Sequence, residues 1–367
     1  MRRAMNHTLR EFLESIKSKH TYLLFRYTDE AYKLRRCYRP VILKKKNGGF
    51  RVLQVPDENL KRLQRQLLTY LQHAEISPCA AAYVKGRGLS EHAHYHAGRS
   101  MLLKLDIEDF FGSISFSKVL FAVKEALKRS PLVGQEQRSE IGWFIAKACT
   151  LDGVLPQGAP TSPILSNMVF LHLDQEINSY CIQRGIHYTR YSDDLFFSGD
   201  FRPSEIIPLI RKLLRRNGYT LNENKIVAAG RGSKKLVTGV VVNQRPQADR
   251  SYRREIRQSI YYIGKFGLEE HLKRKGLLDE GMQPEDMRSE AAGNEDFGRE
   301  DVIIRAQMVK ELQRLIGRIV FVLQIDPQNR EFQDYKKFCI GLLNRLPVIF
   351  NGRLLSEAEI NEGWGSA

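Results

Sequence analysis

Thr189-Arg190-Tyr191-Ser192-Asp193-Asp194-Leu195-Phe196-Phe197 sets two adjacent carboxylates between runs of β-branched and aromatic residues. Such runs favour strands and Asp tolerates turns, so the stretch predicts two short strands joined at an acidic tip. Adjacent acids repel one another unless a cation lies beside them. A hard divalent ion with oxygen ligands meets that need, and Mg²⁺ suits a few carboxylates plus substrate phosphates. A solvated acidic turn is the plainer alternative, and the rest of the chain decides between them.

Working outward, residues 101–107 form an apolar run interrupted by Lys104 and ending near Asp106, as a buried central strand would. An acid at the edge of such a strand needs a partner, and a metal shared with Asp193 and Asp194 supplies one. Between these two places lies Leu155-Pro156-Gln157-Gly158-Ala159-Pro160-Thr161-Ser162-Pro163. Thr161 or Ser162 can cap a helix with Pro163 in its first turn. Gly158 leaves room for a ligand to approach the backbone, with the Gln157 amide beside it. After the hairpin, residues 218–221 lead into Asn222-Glu223-Asn224-Lys225, and residues 237–242 read as a buried strand.

Toward the N-terminus, Leu9, Phe12, Leu13 and Ile16 predict an amphipathic helix over 7–19. Residues 40–43 and 50–55 predict a hairpin turned by Asn47-Gly48-Gly49. Lys44, Lys45, Lys46 and Arg51 cluster there, either as a solvated face or as a clamp on triphosphate or template phosphates. Asp57 or Glu58 opens a helix that buries Leu60, Leu63, Leu67 and Leu71. His92, His94 and His96 then alternate with Ala93 and Tyr95. Glu91 alone could complete a metal site, so a positioning or RNA-contacting role is the better reading.

The whole chain of 367 residues carries +16 at neutral pH, with a pI near 9.6, which points to a polyanionic partner, most simply nucleic acid. Five scattered cysteines without a Cys-x-x-Cys pair exclude a disulfide framework or zinc site. No long apolar segment or signal-peptide core occurs, which predicts a soluble, cytoplasmic protein without a membrane partner. Arg250, Arg253, Arg254 and Arg257 interleave with Tyr252, Tyr261 and Tyr262, a combination suited to gripping RNA or a hybrid duplex. Residues 279–301 reverse the charge, with nine acids against Arg288 and Arg299, and read as a surface insertion. Residues 302–325 and 331–346 return to helical patterning.

The succession from Asp106 through Gln157-Gly158 and Tyr191-Ser192-Asp193-Asp194 to Lys225 resembles the palm of reverse transcriptases, over roughly residues 35–245. Val237-Thr238-Gly239 resembles the Val-Thr-Gly motif of bacterial retron reverse transcriptases. His92-Ala93-His94-Tyr95-His96 stands where that family carries Asn-Ala-x-x-His, with His in place of the Asn. Ser192 likewise replaces the Ala usual in the family's turn. The resemblance implies an α+β right-hand polymerase: fingers over 1–100, palm over 101–243 with helices near 117–150, and a helical thumb over 244–367 carrying the acidic insertion near 279–301.

It further implies that Asp106, Asp193 and Asp194, with the backbone of Ile107, hold two Mg²⁺ ions. Lys45 and Arg51 would grip the triphosphate, Gln157 and Gly158 would flank the incoming dNTP, and Phe111 would exclude a ribose 2′-hydroxyl. Lys225 matches a position proposed to protonate pyrophosphate, although a salt-bridged surface lysine is an equal reading. His92, His96, Val237, Thr238, Gly239, Arg253, Arg254 and Arg257 would meet RNA. The implied partners are a cognate noncoding RNA, its RNA-linked DNA product, dNTPs and a companion effector protein in anti-phage defence. No stretch resembles an RNase H or integrase domain. Another bacterial reverse transcriptase, of abortive-infection or intron type, and a non-catalytic RNA-binding scaffold are the alternatives.

Overall fold

The residues flanking Ser192-Asp193 form the two expected strands, β4 (His187–Tyr191) and β5 (Asp194–Gly199), paired antiparallel with Tyr191 opposite Asp194. The apolar run before Asp106 is β3 (Met101–Asp106), which pairs antiparallel with β5 and sets Asp106 opposite Asp194. With β6 (Val227–Ala229) on its other side, β3 lies inside a four-stranded sheet of order β4-β5-β3-β6. A central position explains why Leu102, Leu103 and Leu105 are buried on both faces of one short strand.

The computed structural model describes residues 7–15, 34–44, 48–130, 133–278, 299–346, 349–350 and 353–354. Lys45 and residues 279–298 of the acidic insertion lie outside them. The chain divides into two compact units, residues 1–237 and 238–367.

In the first unit, β1 (Tyr38–Lys44) and β2 (Phe50–Pro56) form the expected basic hairpin. The Asp57 carboxylate accepts the Leu60 N–H at 2.8 Å and caps the helix α2 (Glu58–Leu71). Helix α1 (His7–Ser15) buries Phe12 and Leu13. The histidines lie on a short helix, α3 (Leu89–His96). Helices α4 (Phe116–Lys128), α5 (Arg138–Cys149), α6 (Ser162–Val169) and α7 (Leu171–Ile182) bring the rest of the core around the sheet. Of these α4 packs on α5 and α6, and α7 on β4. Helix α8 (Pro203–Arg216) then buries Ile206, Ile210, Leu213 and Leu214 along one stripe.

Two expectations are corrected here. Thr161 occupies the N-cap of α6 but makes no capping bond, and the Ser162 hydroxyl instead donates to the Pro156 carbonyl at 2.7 Å. Residues 237–242 are not one strand: β7 (Leu236–Val237) and β8 (Val240–Val241) are separated at Thr238 and Gly239, both at positive φ (46° and 85°). Two successive residues at positive φ are what a tight hairpin turn demands, and β-propensity across the apolar run concealed it.

The second unit is mainly helical. It contains α9 (Arg250–Phe266), capped by the Asp249 carboxylate, then α10 (Leu268–Arg274), α11 (Arg299–Ile325) and α12 (Arg330–Arg345). The strand β9 (Gln247–Ala248) pairs with β8, and β10 (Ile349–Phe350) with β11 (Arg353–Leu354). The last three residues assigned to the acidic insertion, 299–301, belong to α11. All five cysteines are buried and none is in a disulfide. No helix among the described residues is long and apolar enough to cross a membrane.

Candidate active site

Backbone hydrogen bonds fix where the acids sit. The Ile107 N–H donates to the Asp193 carbonyl at 2.9 Å, and the Asn222 N–H donates to the Asp106 carbonyl at 2.8 Å. The end of β3 is thereby tied both to the acidic turn and to the segment leading to Lys225. Ser192, first of the two loop residues, takes φ 61°, a conformation that costs an L-residue about 1–2 kcal/mol. It is held there through both ends: its hydroxyl meets the Tyr83 hydroxyl at 3.1 Å, and its carbonyl accepts from Arg190 Nη1 at 3.3 Å.

On the open side of the turn each of two acids faces a lysine. Lys225 Nζ donates to both oxygens of Asp106 at 3.0 and 3.1 Å, and Lys104 Nζ lies 2.8 Å from Asp194 Oδ2. Burial raises the pKa of Asp193 and of Asp194. Repulsion from the neighbouring carboxylates adds to it, while the lysines oppose it. The donors are all hard oxygens, the set that suits Mg²⁺-like ions, and the accumulated like charge invites a cation. Among the described residues no three His, Cys, Asp or Glu side chains are disposed as a ready cage for an ion. Asp106 and Asp194 are turned toward their lysines. Asp106, Asp193 and Asp194 are the residues that could hold a metal.

Behind the turn the charges are locked. Arg190 and Asp174 are both 0% exposed. Arg190 Nε and Nη2 donate to the carboxylate at 3.0 and 2.8 Å, and the Tyr188 hydroxyl donates to it at 2.8 Å. The Arg190 guanidinium also lies 4.8 Å from the Phe170 ring centre. Sequence reasoning missed this pair. Its signal was an arginine inside a strand and an acid, Asp174, near the start of a helix that must pack on that strand.

His92 and His96 are also covered, 4% and 0% exposed, but on the opposite face of the sheet, and not on a surface open to RNA. Both Nε2 atoms meet the Thr189 hydroxyl (2.6 and 2.7 Å), and His96 Nδ1 meets the Ser198 hydroxyl at 2.7 Å. His92 Nδ1 has no partner. A buried acceptor is more tolerable unpaired than a buried N–H, so His92 Nε2–H donates to Thr189. Thr189 then donates to His96 Nε2, and His96 Nδ1–H to Ser198. Burial lowers the two imidazoles to about 4 and about 3, so both are neutral and offer phosphates no charge. The RNA-contact expectation for His92 and His96 is therefore replaced by a positioning role on β4 and β5. Val237 is also buried and β7 packs against α3, which makes the two motifs singled out in the sequence neighbours.

Of the nucleotide-side candidates, Arg51 and Lys44 are exposed on the hairpin, and Phe111 is part-buried, edge-on to Phe110 at 5.2 Å. A Cβ at Gly112, just after it, would meet the Asp109 carboxylate. At Gly158 the close approach is made by the protein's own chain. A Cβ there would stand 2.9 Å from the Gln54 carbonyl, and the Gln54 N–H donates to the Gln157 carbonyl at 2.7 Å. The hairpin and the Gln157-Gly158 turn thus share a backbone seam.

In the second unit the three candidate arginines differ. Arg254 is exposed, Arg257 is clasped by Glu331 (2.6 and 2.7 Å), and Arg253 is half-buried beside Gln247 at 3.5 Å. Of the three arginines expected to meet RNA, Arg254 presents an open head, while Arg253 and Arg257 have partners within the protein.

Comparison with known proteins fits this geometry. The reverse transcriptase (RNA-dependent DNA polymerase) family matches residues 42–256. The chain is 34% identical to the Retron Mx65 reverse transcriptase of Myxococcus xanthus, over 62% of this chain and 56% of that protein. It is 32% identical to the Retron Ec86 reverse transcriptase of Escherichia coli, over 64% and 73%. The matched stretch thus spans little more than half of the Mx65 protein. Among solved structures, telomerase from Candida albicans in complex with a telomeric RNA fragment aligns over 86% of this chain and 67% of that one. Its identity is 10% and its TM-score 0.45. The family match covers more than half of the sequence, from the first strand of the basic hairpin to the start of α9, and the chain belongs to the reverse transcriptase family.

Proposed function

We propose that the chain is the RNA-directed DNA polymerase of a retron, copying a dedicated structured RNA into DNA that stays joined to it through a 2′-hydroxyl. The observation that carries this reading is the acidic site itself: Asp106 opposite Asp194 in register, with Asp193 at the turn and its carbonyl fixed by the Ile107 N–H. When bound there, Mg²⁺, two ions in this reading, would lower the pKa of the attacking hydroxyl and shield the leaving pyrophosphate.

The remaining tasks fall to the chain. Asp106, Asp193 and Asp194 hold the charge that recruits the ions. In this reading Lys225, which pairs with Asp106, gives a proton to the leaving group. Phe111 forms the wall against a ribose 2′-hydroxyl, and Arg51, on the hairpin that shares the Gln157-Gly158 seam, binds the triphosphate together with Lys45. Val237, Thr238 and Gly239 contribute to recognition of the cognate RNA. In this reading the RNA–DNA product works with a companion effector against phage.

The test is to express the protein with its neighbouring noncoding RNA and recover the nucleic acid bound to it. The wild type should yield short DNA that keeps an RNA remnant after ribonuclease treatment, released by a 2′–5′ debranching enzyme. An Asp193→Asn, Asp194→Asn variant should bind RNA and carry no DNA. DNA with a free 5′ end would sink the retron reading, and DNA made by the double variant would sink the catalytic one.

A further inference from the structure

Lys104 stands two residues before Asp106 on β3, and the two-residue period of a strand puts both on one face of the sheet. Its partner across the ladder is Phe196, two residues after Asp194, so the same face carries Asp194 as well. Nζ reaches Asp194 Oδ2 at 2.8 Å, while Lys225 takes Asp106. The Lys104 and Asp194 side chains keep 32% and 20% of their surface, so water reaches the pair and its partners can be exchanged. A charge of this sign has no packing reason to be here. Apart from Lys104 and the terminal Asp106 the strand is apolar, and the ammonium lies 5.8 Å from the Phe196 ring centre, where a leucine would serve a core better.

We propose that Lys104 is a positioning residue acting through Asp194: an internal counter-cation that occupies this carboxylate and thereby weakens the affinity of the nucleotide-free protein for divalent metal. An ammonium within ion-pair distance of a ligand oxygen repels an arriving dication and must give up its own partner. With Lys104 in place, two lysines offset two of the three acids and one net negative charge is left; without it two are left. Without it, the same acids would draw metal before any nucleotide arrives. The inference rests on the metal-dependent polymerase reading.

The experiment uses the full-length protein, stripped with EDTA and free of nucleotide, with Mn²⁺ as the probe. Free Mn²⁺ is followed by its electron paramagnetic resonance signal during titration. Lys104→Met should bind Mn²⁺ roughly tenfold more tightly or better than the wild type. Lys104→Arg, which keeps the charge, should stay near the wild type. Adding Asp194→Asn to Lys104→Met should remove the gain. Thermal melting in EDTA, matched across the variants, shows that the fold is intact. If Lys104→Met unfolds, the Lys104→Gln variant carries the same expectation. Equal affinities in the wild type and the neutral variants, with primer extension metal-dependent in both, overturn the role of Lys104 alone. Extension that proceeds without any divalent ion overturns the metal reading and the inference together.

Discussion

Asp174 and Arg190, on the covered side of the acidic turn, have no exposed surface, whereas Asp194 and Lys104, on its open side, keep 20% and 32%. Both are acid–base pairs bound at 2.8 Å, and both touch the same hairpin. They differ in what water allows. A dry pair cannot change partners, because either charge alone would be stranded in a medium that solvates it poorly. A wet pair can, because water and incoming ions compete for each head. The first arrangement holds the Ser192 carbonyl, and with it a loop residue in a disfavoured conformation. The second leaves an acid free to take another cation.

The sharpest break in this comparison would come from cutting the dry pair. Arg190→Met should lower the unfolding free energy by about 3–5 kcal/mol, since it leaves Asp174 buried without its counter-charge. Denaturant titration measures this, and a loss under about 1 kcal/mol would mean that the pair is no more locked than a surface bridge.

A smaller effect is expected from pH, through the neutral histidines buried on the other face of the same strands. An unfolded histidine takes up its proton near pH 6.5, whereas folded His92 and His96 do so only near 4 and 3. Between those values the unfolded chain binds more protons. The stabilisation is therefore present above pH 6.5 and is lost as the pH falls toward 4, by an amount on the order of a few kcal/mol. Asp193 and Asp194 work in the opposite sense, because their raised pKa favours the folded state once protonated. Ring-nitrogen NMR isolates the histidines, and both should still be neutral at pH 5.5. Protonation near pH 6.5 would put them outside the dry layer.

The smallest effect carries the comparison to the second unit. Arg257→Ala should cost about 0.5–1 kcal/mol of stability through loss of the Glu331 pair. Arg254→Ala should cost almost none, yet weaken RNA binding and flatten its salt dependence by about one counterion. Filter binding across a salt series, beside denaturant titration, separates the two. The reverse assignment would show that Arg257 leaves Glu331 for phosphate.

How far this was legible in the sequence depended on whether a residue announces its neighbours. Alternation and turn chemistry were enough for the β4–β5 hairpin and the basic hairpin. The two hairpins are set by contacts within a few residues, while β3, whose ladder partners are distant in sequence, showed itself by its apolar run alone. Asp174 and Arg190 lie 16 residues apart on a helix and a strand, and no local pattern says that the two charges meet. For His92 and His96 the sequence left positioning and RNA contact both open, because an i, i+4 pair on a helix looks the same whether it faces solvent or the Thr189 hydroxyl. Lys104 looked like a flaw in a hydrophobic run. Only the register of β3 against β5 turns it into a partner for Asp194. At Thr238-Gly239 the apolar flanks spoke for a strand, and only the backbone dihedrals reveal the turn.

Burial of the cysteines has a consequence for how the protein meets oxidants. Cys79 and Cys339 are pushed up to about 11, and Cys149 and Cys181 to about 12. At neutral pH these four are thiolates in no more than roughly one molecule in 10⁴, and it is the thiolate that reacts with peroxide, alkylating reagents and disulfides. With no bridge to keep and almost no nucleophilic sulfur to lose, the fold depends little on the redox poise of its surroundings. A single cysteine introduced on the surface, at Phe121 for example, would be the one thiol in the folded chain that a maleimide label finds quickly.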